Sequence, residues 1–267
     1  MLKATILEHA PFQKEISKIV VANEDFETTV MACKALCNFA VENQKQILKE
    51  ENLLSTLVKL SGSLGPGGSK ELKIAAIYTL KNLLYNNQST PSNKEIKAQI
   101  MKELTYERLL GWLDDGCVTV QEQALIALRN LLAKTEEDVQ VVLAEGGQLL
   151  IKKLEEKLNS DIPAIQVHVV YVLSSIASGS QKHKKLVLED RFFMRSIALL
   201  KSTEMPNIRI ACLNLIMNLA FRDNDSESKI RKKLMDLNLP DLLRDMLEQE
   251  RDQEARVFFQ RTIKKLT

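Results

Sequence analysis

Apolar residues recur every three to four positions along most of this chain, and residues 119–134 carry the pattern most cleanly. Val120, Ala124, Leu125, Leu128, Leu131 and Leu132 fall on one stripe at the 3.6-residue period, with Gln123, Ile126 and Asn130 on the opposite side. The spacing predicts a helix over those residues with its stripe in a core. Two shorter helical segments, 93–104 and 105–114, precede it across a short break. Gly146-Gly147, Ser178-Gly179-Ser180 and Met205-Pro206-Asn207 interrupt the later pattern in the same way. Pro163, Pro206 and Pro240 stand where a first helical turn accepts proline, because that turn has no use for the missing N–H.

The pattern repeats on a longer scale. Leu36-Cys37-Asn38-Phe39-Ala40 returns as Leu80-Lys81-Asn82-Leu83-Leu84, Leu128-Arg129-Asn130-Leu131-Leu132 and Ile216-Met217-Asn218-Leu219-Ala220. Leu173-Ser174-Ser175-Ile176-Ala177 fills the gap, and Phe259-Gln260-Arg261-Thr262-Ile263 reads as a last copy. The third positions, 38, 82, 130, 175, 218 and 261, are separated by 44, 48, 45, 43 and 43 residues. Near-constant spacing of this size marks a solenoid, in which no unit can bury its stripe without its neighbours. Two loops fit the scheme: residues 61–70 hold four of the nine glycines, and residues 86–93 lengthen the 48-residue step.

Composition narrows the function. Only 5% of residues are aromatic, and 37 Lys and Arg against 35 Asp and Glu leave a formal charge of +2. Neither a nucleic-acid-binding field nor a base-stacking platform follows from that, so no nucleic-acid partner is expected. Apolar runs are too short to span a membrane, and the start lacks a secretory pattern. Cys33, Cys37, Cys117 and Cys212 then read as reduced thiols of a cytoplasmic or nuclear protein. Cys33 and Cys37 are four apart on one helix face, yet a zinc site needs two more ligands, and His9, His168 and His183 are scattered. No cofactor, metal, catalytic residue or small-molecule substrate is expected. Lys182 to Lys185 form the densest basic run, expected as a solvated helix face.

Three helices in a period of this length resemble the armadillo-repeat family over nearly the whole chain. The resemblance implies an all-α, right-handed superhelical solenoid of armadillo-type three-helix repeats. One domain would cover 1–267: a partial unit at the start, about five fuller units and a terminal helix at 252–266. From residue 71 onward, Lys97-Ala98-Gln99-Ile100-Met101-Lys102-Glu103-Leu104-Thr105, Leu128-Arg129-Asn130-Leu131-Leu132 and Lys232-Lys233-Leu234-Met235-Asp236-Leu237-Asn238-Leu239-Pro240 are similar to the armadillo scaffold subunits of GID/CTLH-type ubiquitin ligases. That likeness implies a non-enzymatic adaptor, of which this chain would be a truncated form or fragment. Its protein partners would be an extended acidic or C-terminal segment of a substrate receptor, and other ligase subunits. A transport or adhesion adaptor of importin or catenin type is the alternative, and a cysteine-dependent enzyme using Cys117 or a histidine is a further one.

In armadillo proteins that grip extended peptides, the recurring Asn bonds the peptide main chain, since a carboxamide offers both a donor and an acceptor. Carried over, this gives Asn38, Asn82, Asn130 and Asn218, with Ser175 departing from the pattern. The other reading is that Asn joins helices within the solenoid. Four residues earlier, on the same face, stand Tyr78, Ile126, Tyr171 and Asn214. The tryptophan array of the nuclear-import groove is missing, and Trp112 lies elsewhere. Lys34, Lys81, Arg129, Lys134, Arg222, Arg261 and Lys265 share the face with one acid, Glu42. A concave groove lined by Asn38, Tyr78, Lys81, Asn82, Ile126, Arg129, Asn130, Tyr171, Ser175, Asn214, Asn218 and Arg222 would then favour an acidic segment or a free carboxylate.

Overall fold

The computed structural model describes residues 10–41, 43–85, 91–132, 135–221 and 229–267. The described residues form sixteen α-helices and two short 3₁₀ turns, without a strand. The chain divides into two compact units, Met1–Leu131 and Leu132–Thr267. In the first, α1 (Ala10–Ala22) and α2 (Phe26–Phe39) precede α3 (Gln44–Ile47), α4 (Leu53–Leu60) and α5 (Glu71–Leu83). Then come α6 (Pro91–Leu104), α7 (Tyr106–Gly111), with a 3₁₀ turn at Trp112–Asp114, and α8 (Val118–Leu132). The second unit holds α9 (Glu136–Leu158), α10 (Pro163–Ala177), α11 (Gln181–Val187), α12 (Asp190–Ser202) and α13 (Pro206–Ala220). It ends with α14 (Lys229–Asp236), α15 (Leu239–Gln249) and α16 (Gln253–Leu266).

The period seen in the sequence is a short helix, a second helix and a long third helix. The third helices pack on one another, α2 on α5 in the first unit, α10 on α13 and α13 on α16 in the second, while the second helices α4, α12 and α15 back α5, α13 and α16. The predicted stripe of α8 is buried throughout, from Val120 to Leu132. Gly147, at φ +50°, breaks α9 into two segments, an angle that glycine accepts without the steric cost of a side chain. Pro163, Pro206 and Pro240 all lie in first turns, as the sequence indicates. Residues 61–70 form a loop with a 3₁₀ turn at Pro66–Gly68; of the loop expected at 86–93, residues 86–90 lie outside the described residues, and 91–93 are instead the first turn of α6.

The start of each long third helix after α2 is set by one recurring turn. A side chain accepts the N–H two residues on: Ser69 from Glu71 at 3.3 Å, Asp115 from Cys117 at 2.8 Å, Ser160 from Ile162 at 3.1 Å, Thr203 from Met205 at 3.1 Å and Glu250 from Asp252 at 2.9 Å. Six residues later a long side chain folds back on the carbonyl of that same residue. Gln121 reaches Asp115, Gln166 reaches Ser160, Arg209 reaches Thr203 and Arg256 reaches Glu250, at 2.6–3.0 Å.

That turn corrects the register of the last copy. The recurring Asn position follows the turn residue by fifteen residues in α8, α10 and α13 and by thirteen in α5, and fifteen from Glu250 is Lys265 rather than Arg261. Burial agrees: Ala255, Phe259, Thr262 and Leu266 occupy the buried places that Ile208, Cys212, Leu215 and Leu219 hold in α13. The shift is four residues, about one helical turn, so the apolar stripe reads alike in either register.

A second correction concerns the basic run. Lys182 and Lys185 are exposed, but His183 and Lys184 are buried. The Lys184 ammonium donates to the carbonyl of Leu219 at 3.1 Å and to that of Phe221, at the C-terminal end of α13. Gln44 does the same for Tyr85 at 2.8 Å, and Lys97 for Leu131 at 3.0 Å. A first helix thus satisfies the carbonyls that its own third helix leaves unpaired, where a cation also suits the negative end of the helix dipole.

Candidate protein-binding face

Asn82 on α5 donates its amide N–H to the carbonyl of Cys37 at 2.8 Å and to the Cys37 sulfur at 3.1 Å. Asn130 on α8 donates to the carbonyl of Lys81 at 3.0 Å. Asn218 on α13 donates to the carbonyl and hydroxyl of Ser174, at 2.9 and 3.0 Å. In each case the acceptor carbonyl belongs to the residue just before the equivalent position of the preceding copy. The Asn column therefore stitches third helix to third helix. Asn130 and Gln123, expected opposite the apolar stripe of α8, are each 5% exposed, since the neighbouring helix covers that side as well.

The other face residues divide by unit. In the first, Tyr78, Lys81, Asn82, Ile126 and Arg129 are half-buried, and Asn38 is exposed. The Lys81 ammonium lies 5.2 Å from the centre of the Tyr78 ring, and Lys34 pairs with Glu71 at 2.6 Å. Burial lowers the pKa of Lys81; the Cys37 thiol beside it opposes that shift, and the Arg129 guanidinium adds to it. Two cations thus share the surface above Asn82 and Asn130. In the second unit Tyr171, Ser175, Asn214 and Asn218 are half-buried. The Ser175 hydroxyl bonds the Tyr171 carbonyl of its own helix at 3.0 Å, and Asn214 bonds Ile210 at 3.1 Å. Lys265 lies 4.8 Å from the centre of the Phe221 ring. Arg222, Lys134 and Glu42 lie outside the described residues.

Three of the four thiols, Cys33, Cys37 and Cys212, fit a structural role better than a nucleophilic one. Burial pushes Cys33 and Cys212 up to about 12, and the Cys37 thiol is also raised, by burial first, against the opposing pull of Lys81 and Asn82. At neutral pH these three sulfurs are thiols, and the thiolate is the reactive form. Among the described residues no group of three or more His, Cys, Asp or Glu could hold a metal ion, and no helix is long and apolar enough to cross a membrane.

Stacked third helices joined through a recurring Asn define an armadillo-repeat fold. A designed armadillo-repeat protein solved with the peptide (KR)4 superposes with a TM-score of 0.74 at 20% identity, over 95% of this chain and 99% of that one. A second designed armadillo-repeat protein, YIII(Dq)4CqI, gives 0.71 over the same shares. No family model matches the sequence. In sequence the chain is similar to Armadillo repeat-containing protein 8 of Danio rerio, 26% identical over 247 residues that make up 91% of this chain and 34% of that protein. GID complex subunit 5 of Schizosaccharomyces pombe is 23% identical over 85% of this chain and 27% of its own length. The chain spans about a third of the length of the curated relatives it matches.

Proposed function

We propose that this chain is a non-catalytic scaffold that holds an extended acidic or C-terminal segment of another protein, and that it joins a substrate receptor to the core of a GID-type ubiquitin ligase. The ligase assignment rests on relatives named for the GID complex. The binding mode rests on one observation, the pairing of Lys81 and Arg129 on the Tyr78 face of the first unit. The Arg129 guanidinium adds to the cost of the Lys81 ammonium, and an incoming carboxylate relieves it, so the face favours anions. The designed armadillo-repeat protein was solved with a basic peptide, (KR)4; this face calls for the opposite charge. The partner's main chain meets the carboxamide of half-buried Asn82, whose N–H groups already serve the fold, through its oxygen.

The test is a titration of acidic decapeptides with free or amidated C-termini against the full chain. Binding should weaken as salt rises and should disappear in the Lys81→Glu/Arg129→Glu double variant while circular dichroism stays unchanged. Undiminished binding by that variant would sink the reading.

A further inference from the structure

One position of the repeat breaks its own pattern. Eight residues before the recurring Asn position stand Val30, Ile74, Val167, Ile210 and Val257, the last counted from Lys265, and in α8 alone the place is taken by an acid, Glu122. A local rule broken at one copy needs a compensating use. Glu122 is half-buried, and it forms no hydrogen bond or ion pair among the described residues. Asp115 and Glu250, by contrast, are each held by a cation, Lys73 and Arg209. Tyr78, on α5, senses the Glu122 carboxylate: burial is the main cause of its raised pKa, and the Glu122 charge comes next. An acid at this place also works against any anion that Lys81 and Arg129 favour, unless the ligand brings a cation of its own.

We propose that these residues form a two-point site for an amphoteric segment: Lys81 and Arg129 take its free carboxylate, and Glu122, beside Tyr78, takes a Lys or Arg side chain of the same segment. The site rests on the carboxylate reading proposed above and narrows its ligand from any acidic tail to one with a cation at a set distance. Glu122, Ile126 and Arg129 follow one another at steps of four and three on one face of α8. Seven residues of helix separate the two charges by about 10 Å along the axis. An extended chain advances about 3.3 Å per residue, so the basic residue belongs about three residues before the terminal one. Half-buried Ile126, between the two charges, offers apolar surface to its methylene stem. The cationic head then makes a charge-assisted bond to Glu122 at the edge of an aromatic ring.

The test uses three labelled decapeptides with free C-termini, identical except for Lys, Gln or Glu at the fourth position from the end, titrated against the full chain by fluorescence anisotropy. The Lys peptide should bind about tenfold more tightly than the Gln peptide, and the Glu peptide more weakly than either. Two variants remove the acid: Glu122→Gln, and Glu122→Ile, which restores the residue type of the other copies and so protects the fold. In both, the preference for Lys over Gln should fall below about twofold, while the Gln peptide binds no more weakly than before. Glu122→Lys should invert the order in favour of the Glu peptide. Equal affinity of the Lys and Gln peptides for the unaltered chain, or a Lys preference that survives in both Glu122→Gln and Glu122→Ile, overturns the two-point site and leaves the carboxylate reading standing. Failure of all three peptides to bind the unaltered chain overturns both.

Discussion

Asn82 donates its side-chain amide to the main-chain carbonyl of Cys37 at 2.8 Å, across 45 residues of sequence. The same bond from Asn130 to Lys81 is more deeply buried. Removing that donor leaves a covered carbonyl without a partner, so Asn130→Ala should cost about 1–3 kcal/mol. Asn38→Ala, at an exposed position, should cost almost nothing. Leu128→Ala, which empties a core site, should cost about 2–5 kcal/mol. Urea denaturation of the three variants checks the order. Equal losses for Asn38 and Asn130 would remove the stitching role.

Lys184 gives a second, opposite reversal of expectation. Its neighbours Lys182 and Lys185 are exposed, and Lys185→Glu should change stability by no more than about 0.5 kcal/mol. Lys184→Met keeps the stem and loses two charge-assisted bonds to helix-end carbonyls, a cost of about 1.5–3 kcal/mol. Lys184→Glu should cost more still, since it aims a carboxylate at those same carbonyls. Thermal unfolding of the three variants measures this. A neutral Lys184→Glu would mean that the lysine is solvated after all.

The sequence carried the six-fold recurrence and the helical stripe because both depend on the spacing of apolar residues, which burial dictates directly. It did not carry the direction of Asn130, because a third helix in a stack is covered on two sides and a single apolar stripe reports only one. Lys184 was illegible for a similar reason: a lysine that ends on backbone carbonyls looks, in sequence, like any other surface lysine. The register of α16 could have been found, since Ser160, Thr203 and Glu250 each stand six residues before Gln166, Arg209 and Arg256. That signal recurs at the same period as the Asn motif but involves polar residues of mixed type, so a search for apolar patterns passes over it.

Glu250 links acid stability to the joint between copies. Its carboxylate accepts from Arg209 at 2.5 and 2.8 Å and from the N–H groups of Arg251 and Asp252 at 2.9 Å. Burial pushes its pKa up, but the Arg209 bonds and the two N–H groups together outweigh burial and hold it below the ordinary 4.5. A depressed carboxyl pKa contributes stability that is present above the unfolded value and is lost as pH falls through the folded one. The stability gap between the unaltered chain and Glu250→Gln should thus be full at pH 7 and narrow as pH drops below about 4.5, its unfolded value. Urea midpoints across that range decide it; a gap constant with pH would show that the carboxylate charge contributes nothing.

Cys37 reports on the face that the proposed ligand would occupy. Its thiol sits beside Lys81 and accepts from Asn82, and burial, the main influence, raises its pKa while the Lys81 cation and the Asn82 bond pull it down. Lys81→Met removes one of the opposing influences, so less thiolate forms at a given pH, and alkylation by iodoacetamide should slow. Lys81→Glu should slow it further, because a carboxylate disfavours the neighbouring thiolate. Cys33 and Cys212, buried and pushed up to about 12, should react more slowly than Cys37 in every variant. A carboxylate ligand seated over Lys81 would act in the same direction as Lys81→Glu and also block access, so saturating acidic peptide should protect Cys37 while leaving exposed methionines on the second unit open to oxidation. Faster alkylation of Cys37 in Lys81→Met would mean that access, not charge, sets its rate, and the protection assay would then have to be read as steric alone.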